Sequence, residues 1–122
     1  MNRDRSFRLF TEGLGVKSFH GRIVLLVNEH TRSAAEMIAA FARNEGTERV
    51  IGTRTPGEVL GAANFQVGSD YRLRLPVTAW YTALNELIEG KGIQPQAEQS
   101  DSFESLRLAR DIPTEAALRS LS

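Results

Sequence analysis

The run Gly21-Arg22-Ile23-Val24-Leu25-Leu26-Val27-Asn28, with a helical apolar period starting at Ser33 close behind it, constrains the fold more than anything else in the chain. Ile23–Val27 is continuous, short and rich in β-branched residues, as a strand buried on both faces should be. From Ser33 to Asn44 the period changes. Ala34, Met37, Ile38 and Phe41 recur at i, i+3, i+4 and i+7 and make one apolar helical face. Ala35, Ala39, Ala40 and Ala42 keep the remainder narrow enough for close packing. Asn44 and Gly46 are stop residues, and Arg49–Ile51 reads as a second short strand. A strand, a helix and a strand in that order are the unit of an α/β fold.

The rest of the chain is punctuated by glycine and proline. A short helix is expected over Asp4–Glu12, ended by Gly13 and Gly15. Gly52–Gly61 is a loop. Asn64–Val67 and Tyr71–Thr78 form a hairpin around the turn Gly68-Ser69-Asp70. In the second arm Tyr71, Leu73, Leu75 and Val77 alternate with polar residues, which predicts one wet face. Pro76 predicts an edge or a break in pairing. Leu87–Gln96 is a glycine-marked loop, and Ala97–Ser102 reads as a polar linker. Helices follow over Phe103–Arg110 and from Pro113, a favoured first helical residue. Residues 1–122 suit one domain, with 97–122 as a helical tail.

Composition removes several chemistries. The absence of cysteine excludes disulfides, thiolate metal sites and cysteine nucleophiles. Fifteen basic residues balance fifteen acidic ones, so no electrostatic footprint for nucleic acid is present. No residue pattern calls for a cofactor or a metal. The apolar runs are too short to span a bilayer. The opening residues are basic but have no apolar stretch behind them, so no secretory signal is read there and the compartment stays open.

Ser33 stands at the entrance of the helix and admits two readings. With Glu36 it forms S-x-x-E, the capping box, in which each side chain satisfies the other's free backbone N–H. A serine at a strand-to-helix turn also presents its hydroxyl outward at the positive end of a helix, where an oxyanion is stabilised. Nucleophilic serines on α/β scaffolds occupy such turns, but they need a base and a group that orients it.

Four stretches taken together narrow this choice. They are G-R-I-V-L-L-V-N-E-H-T-R-S-A-A-E-M, V-I-G-T-R-T-P-G, L-P-V-T-A-W-Y and L-I-E-G-K-G-I-Q-P. In order and spacing, from Gly21 to Pro95, they resemble the carboxyl-terminal processing (tail-specific) serine peptidase family. The resemblance implies a ClpP/crotonase-like α/β fold with a mixed sheet and packing helices. It implies that Ser33 attacks the scissile carbonyl, that the Ala34 N–H donates to the oxyanion, and that Glu89 orients the base or its hydrogen-bond network. One branch of the family uses a serine–lysine dyad. Glu58 stands where that lysine would be, which directs the comparison to the tricorn-core-like Ser-His-Glu branch. Pro95 is followed by Gln96 where the family commonly has aspartate.

The family's histidine and its second oxyanion donor lie far upstream of the serine, and the 32 residues before Ser33 contain neither element. The chain thus reads as the C-terminal part of a catalytic domain. His30, one turn from Ser33, is the candidate base within it, and His20 flanks the strand. Arg72, Arg74, Arg54 and Glu58 read as solvated, and Trp80 and Tyr81 as packing residues. The expected function is a serine peptidase acting near peptide or protein C-termini. The alternative is a non-catalytic α/β interaction or oligomerisation module derived from it. The expected partners are peptide substrates, the missing upstream segment, or further copies in a homo-oligomer; neither nucleic acid nor membrane is expected.

Overall fold

The computed structural model describes residues 6, 8, 10, 12, 13, 15–46 and 49–122. Strand β1 (Val24–Val27), helix α1 (Ala34–Glu45) and strand β2 (Arg49–Gly52) form the expected β-α-β unit. The two strands pair in parallel, Leu25 opposite Val50 and Leu26 opposite Ile51. The chain then runs through β3 (Leu60–Val67), β4 (Tyr71–Ala79), β5 (Ala97–Glu98), α2 (Phe103–Arg107) and α3 (Ile112–Leu121). The main sheet has the order β1-β2-β5 and is parallel throughout, while β3 and β4 make a separate antiparallel pair. The fold is therefore α/β with parallel and antiparallel sheets.

Side chains alternate across a strand, so Leu25, Val27 and Val50 share one face and Leu26 and Ile51 the other. The first face meets α1, and its core holds Val27, Ala39, Ala40, Ala42, Val50, Val59, Ile88 and Ile93. Helix α3 packs against β1 and β2 as well, and both Ile51 and Ala117 are buried. Central strand β2 is covered on both faces. β1 is not, contrary to the reading of a strand buried on both faces: among the described residues it pairs only with β2, and Leu26 remains 46% exposed.

Other expectations need correction. Helix α1 packs through its alanines and, of its bulky stripe, only Met37. It buries Glu36, Ala39, Ala40 and Ala42, while Ile38 and Phe41 stay 59% and 54% exposed. Small side chains let the helix lie close on the sheet, and burying Glu36 satisfies the loop beneath it. The second arm of the hairpin has no dry face, because every residue of β4 is exposed. Its ladder skips Val77, a bulge beside Pro76. The stretch after Gln96 is not a plain linker. The Gln96 N–H donates to the Val50 carbonyl at 2.9 Å and the Gln99 N–H to the Gly52 carbonyl at 2.8 Å, which adds β5 to the sheet. The helix expected at Asp4–Glu12 falls largely outside the described residues, and Ser6, Arg8, Phe10 and Glu12 carry no helix. Helix α2 is shorter than expected, and α3 begins one residue before Pro113 with Asp111 as its N-cap.

Candidate active site

The turn between β1 and α1 is closed by local bonds. Asn28 N–H donates to Thr31 Oγ1 at 3.0 Å, His30 N–H to Asn28 Oδ1 at 2.9 Å, and Thr31 N–H to the Asn28 carbonyl at 3.0 Å. Ser33 follows, exposed, with φ 57° and ψ −124°. This is a glycine-favoured region, and a residue with a side chain held there stores strain of roughly 1–3 kcal/mol. An ordinary N-cap has extended dihedrals instead.

Ser33 and Glu36 form a capping box, in which each side chain faces the other's backbone N–H. The Ser33 N–H donates to Glu36 Oε2 at 3.2 Å. The Ser33 hydroxyl makes no cap hydrogen bond. It is left at the mouth of α1, where the Ala34 N–H forms no bond among the described residues.

Glu36 does far more than cap. It is fully buried, and no cation pairs with it among the described residues. Its Oε1 accepts from Thr55 Oγ1 at 2.6 Å and from the Gly57 N–H at 2.7 Å; its Oε2 also accepts from the Glu58 N–H at 2.8 Å. The next amide, Val59 N–H, donates to Glu89 Oε2 at 2.7 Å. Three consecutive backbone donors are thus taken by two carboxylates. The peptide between Glu58 and Val59 completes the link, because the Glu58 carbonyl accepts the Ser33 N–H at 3.1 Å. Ser33 and Glu89 sit on opposite ends of one planar peptide, which puts the Ser33 nitrogen within roughly 8 Å of the Glu89 carboxylate.

Residues 55–59 form a strap, and loop 89–93 locks it from the other side. The Gly90 N–H donates to the Gly57 carbonyl at 2.8 Å, the Thr55 N–H to the Ile93 carbonyl at 3.1 Å, and the Ile93 N–H to Thr55 Oγ1 at 2.7 Å. Gly57 has φ 79° and faces the backbone nitrogens of Gly90, Lys91 and Gly92, so a side chain there has no room.

Ser33, Ala34 and Glu89 therefore come together, and His30 does not join them. Its side chain is 77% exposed and its Nε2 lies 3.7 Å from Glu29 Oε1, with no bond to Ser33. The Glu29 carboxyl is held below the usual glutamate range by its own backbone N–H and then by Thr53 Oγ1. Glu58 points to solvent and pairs with Arg32 at 3.0 Å. Among the described residues no group of three His, Asp or Glu converges as metal ligands. A cleft of about 390 Å³ opens where β1 and β2 end, lined by Leu26, Asn28, Thr31, Thr53, Gln99 and Asp111. Ligands of open parallel sheets bind at such strand ends. The sequence reading missed Glu36 as a strap anchor, although T-R-T-P-G, with its threonine and glycine, marks the segment that needs one.

Comparison with known proteins identifies the family and the fold. A family profile described as Peptidase family S41 matches residues 2–99. The chain is 40% identical over 77 residues to the carboxy-terminal processing protease CtpA of Bacillus subtilis, covering 62% of this chain and 16% of that protein. Its fold matches the crystal structure of the tricorn protease with a TM-score of 0.79 at 23% identity, over 99% of this chain and 12% of that one. It matches the photosystem II D1 C-terminal processing protease with a TM-score of 0.61 at 24% identity, over 65% and 20% of the two chains. The chain spans less than a fifth of the length of the curated relatives it matches.

Proposed function

The chain belongs to peptidase family S41, and from that premise we propose that it carries the nucleophile of a serine peptidase that processes C-termini. Ser33 Oγ attacks the scissile carbonyl, and the carbonyl oxygen becomes an oxyanion that takes the Ala34 N–H. The positive end of α1 adds to its stabilisation. Collapse of the tetrahedral intermediate expels the amine and leaves an acyl-serine, which water hydrolyses. Glu89 holds the hydrogen-bond network beside the serine. The histidine that takes the serine proton comes from a segment upstream of these elements, as the family pattern implies; His30 is turned toward Glu29. The substrate adds as a strand along the outer edge of β1, which pairs with no other strand among the described residues.

The observation that carries the reading is Ser33 itself: exposed, at positive φ, with a hydroxyl that makes no cap hydrogen bond. An ordinary capping serine has extended dihedrals and a hydroxyl that accepts an N–H of the first helical turn. The test is reaction with a fluorophosphonate, with the modified residue located by mass spectrometry, together with peptide hydrolysis by the protein that carries this chain. Labelling at Ser33, and loss of turnover in a folded Ser33→Ala variant, are expected. Unchanged turnover in that variant refutes the proposal. A folded native protein without labelling points to the interaction module instead.

A further inference from the structure

We infer that Glu36 is a positioning residue for this reaction, an inference that rests on the peptidase reading: its buried carboxylate holds Ser33 at positive φ, in the conformation of a nucleophile rather than that of an ordinary helix cap. Two conformations are open to a serine at this turn. In the ordinary one the backbone is extended and the hydroxyl folds back to accept an N–H of the first helical turn. In the observed one φ is positive, the backbone N–H turns toward the strap and the hydroxyl is free. The second is intrinsically less favourable, so something must hold it.

Glu36 supplies that hold in two ways. Its Oε2 takes the Ser33 N–H directly. The same carboxylate fastens Thr55, Gly57 and Glu58, which sets the Glu58 carbonyl where it takes the Ser33 N–H a second time. A neutral glutamine cannot replace it. One of its two oxygens becomes an NH₂ that meets N–H donors head on, and a buried donor left unmade is costly. If a merely stable buried contact were needed, an apolar side chain would serve as well. Four donors converging on one carboxylate at the base of the serine turn specify a geometry.

The experiment compares the protein that carries this chain with its Glu36→Gln and Thr55→Val variants. NMR reads the sign of φ at Ser33 through the intraresidue amide–Hα cross-peak, which is intense only at positive φ. Fluorophosphonate labelling reads the reactivity of the hydroxyl. In Glu36→Gln the Ser33 cross-peak weakens and labelling slows about 100-fold, the cost of a small misplacement. In Thr55→Val, which removes one donor, labelling slows roughly tenfold. Should Glu36→Gln fail to fold, Thr55→Val decides alone. A folded variant that keeps the positive-φ signature overturns the inference, as does one that loses the signature and labels at the native rate. The NMR readout needs no catalysis. A native protein that carries this chain with its upstream histidine, shows the signature and is never labelled therefore removes the peptidase reading, while the loss or retention of the signature in Glu36→Gln still decides what Glu36 does.

Discussion

Replacing Ser33 by glycine and, separately, by alanine isolates the strain stored at the serine turn. Both changes delete the hydroxyl, so any bond it makes is lost equally. They differ at the backbone. Alanine keeps a Cβ in a region with φ 57° and ψ −124°, whereas glycine occupies it freely. The strain relieved is roughly 1–3 kcal/mol. Glycine gives back about 0.5–1 kcal/mol through its larger unfolded-state entropy. Ser33→Gly should therefore be the more stable of the two by roughly 0.5–2 kcal/mol, a difference of about 2–8 °C in Tm for a chain of this size. Urea unfolding with an unchanged m-value checks the sign. Neither variant hydrolyses peptides. If Ser33→Gly is no more stable than Ser33→Ala, the serine is relaxed in solution, and the argument from a held conformation fails with it.

Three further perturbations test other parts of the structure. Gly52 has φ 135°, and a Cβ there overlaps the Val27 carbonyl oxygen, so Gly52→Ala should cost at least ~2 kcal/mol in urea unfolding, through overpacking and strain. Because α1 packs through its alanines, Ala42→Leu should cost about 1–3 kcal/mol, whereas Phe41→Ala on the exposed face should cost well under ~1 kcal/mol; a reversed order would mean that the helix is turned the other way. The Asp111 carboxyl is held below the ordinary aspartate range by the Thr114 N–H and then by the Thr114 hydroxyl, so the stability it contributes is present above the unfolded pKa and is lost as pH falls through the folded one. The advantage of the native chain over Asp111→Asn in Tm should accordingly shrink below about pH 4, and a gap that is constant with pH would contradict the assignment.

What could be read from the sequence was local. Ile23–Val27, the period from Ala34 to Phe41 and the alternation from Tyr71 to Val77 each carry their own pattern, and each became the element expected. What could not be read was set by distant partners. Ala97 and Glu98 are two residues without strand propensity, and they join the sheet because the neighbouring Gln96 and Gln99 amides find carbonyls of β2. The packing face of α1 could not be inferred from side-chain size, because closeness to the sheet outweighed apolar bulk. At the site, S-x-x-E announced a cap with equal roles for its two members. In the fold the glutamate is the buried anchor and the serine hydroxyl makes no cap hydrogen bond, a distinction that depends on Thr55, Gly57 and Glu58, some twenty residues further on.

That strap also bears on how two catalytic styles can share one scaffold. A loop wedged between α1 and residues 89–93 has no strand to pair with, yet its buried N–H groups must be satisfied. Glu36 and Glu89 do so by taking the amides of Gly57, Glu58 and Val59. The strap's hydrogen bonds thus run entirely through its backbone atoms and the Thr55 hydroxyl, and Val59 anchors its end in the core. The side chain at position 58 contributes nothing to it and is free to pair with Arg32 in solvent. By the resemblance, this is where the other branch of the family carries its lysine. A position whose backbone touches the serine and whose side chain is structurally idle can exchange a lysine for a glutamate without disturbing the serine's setting. The serine turn then stays as it is whichever residue stands at position 58.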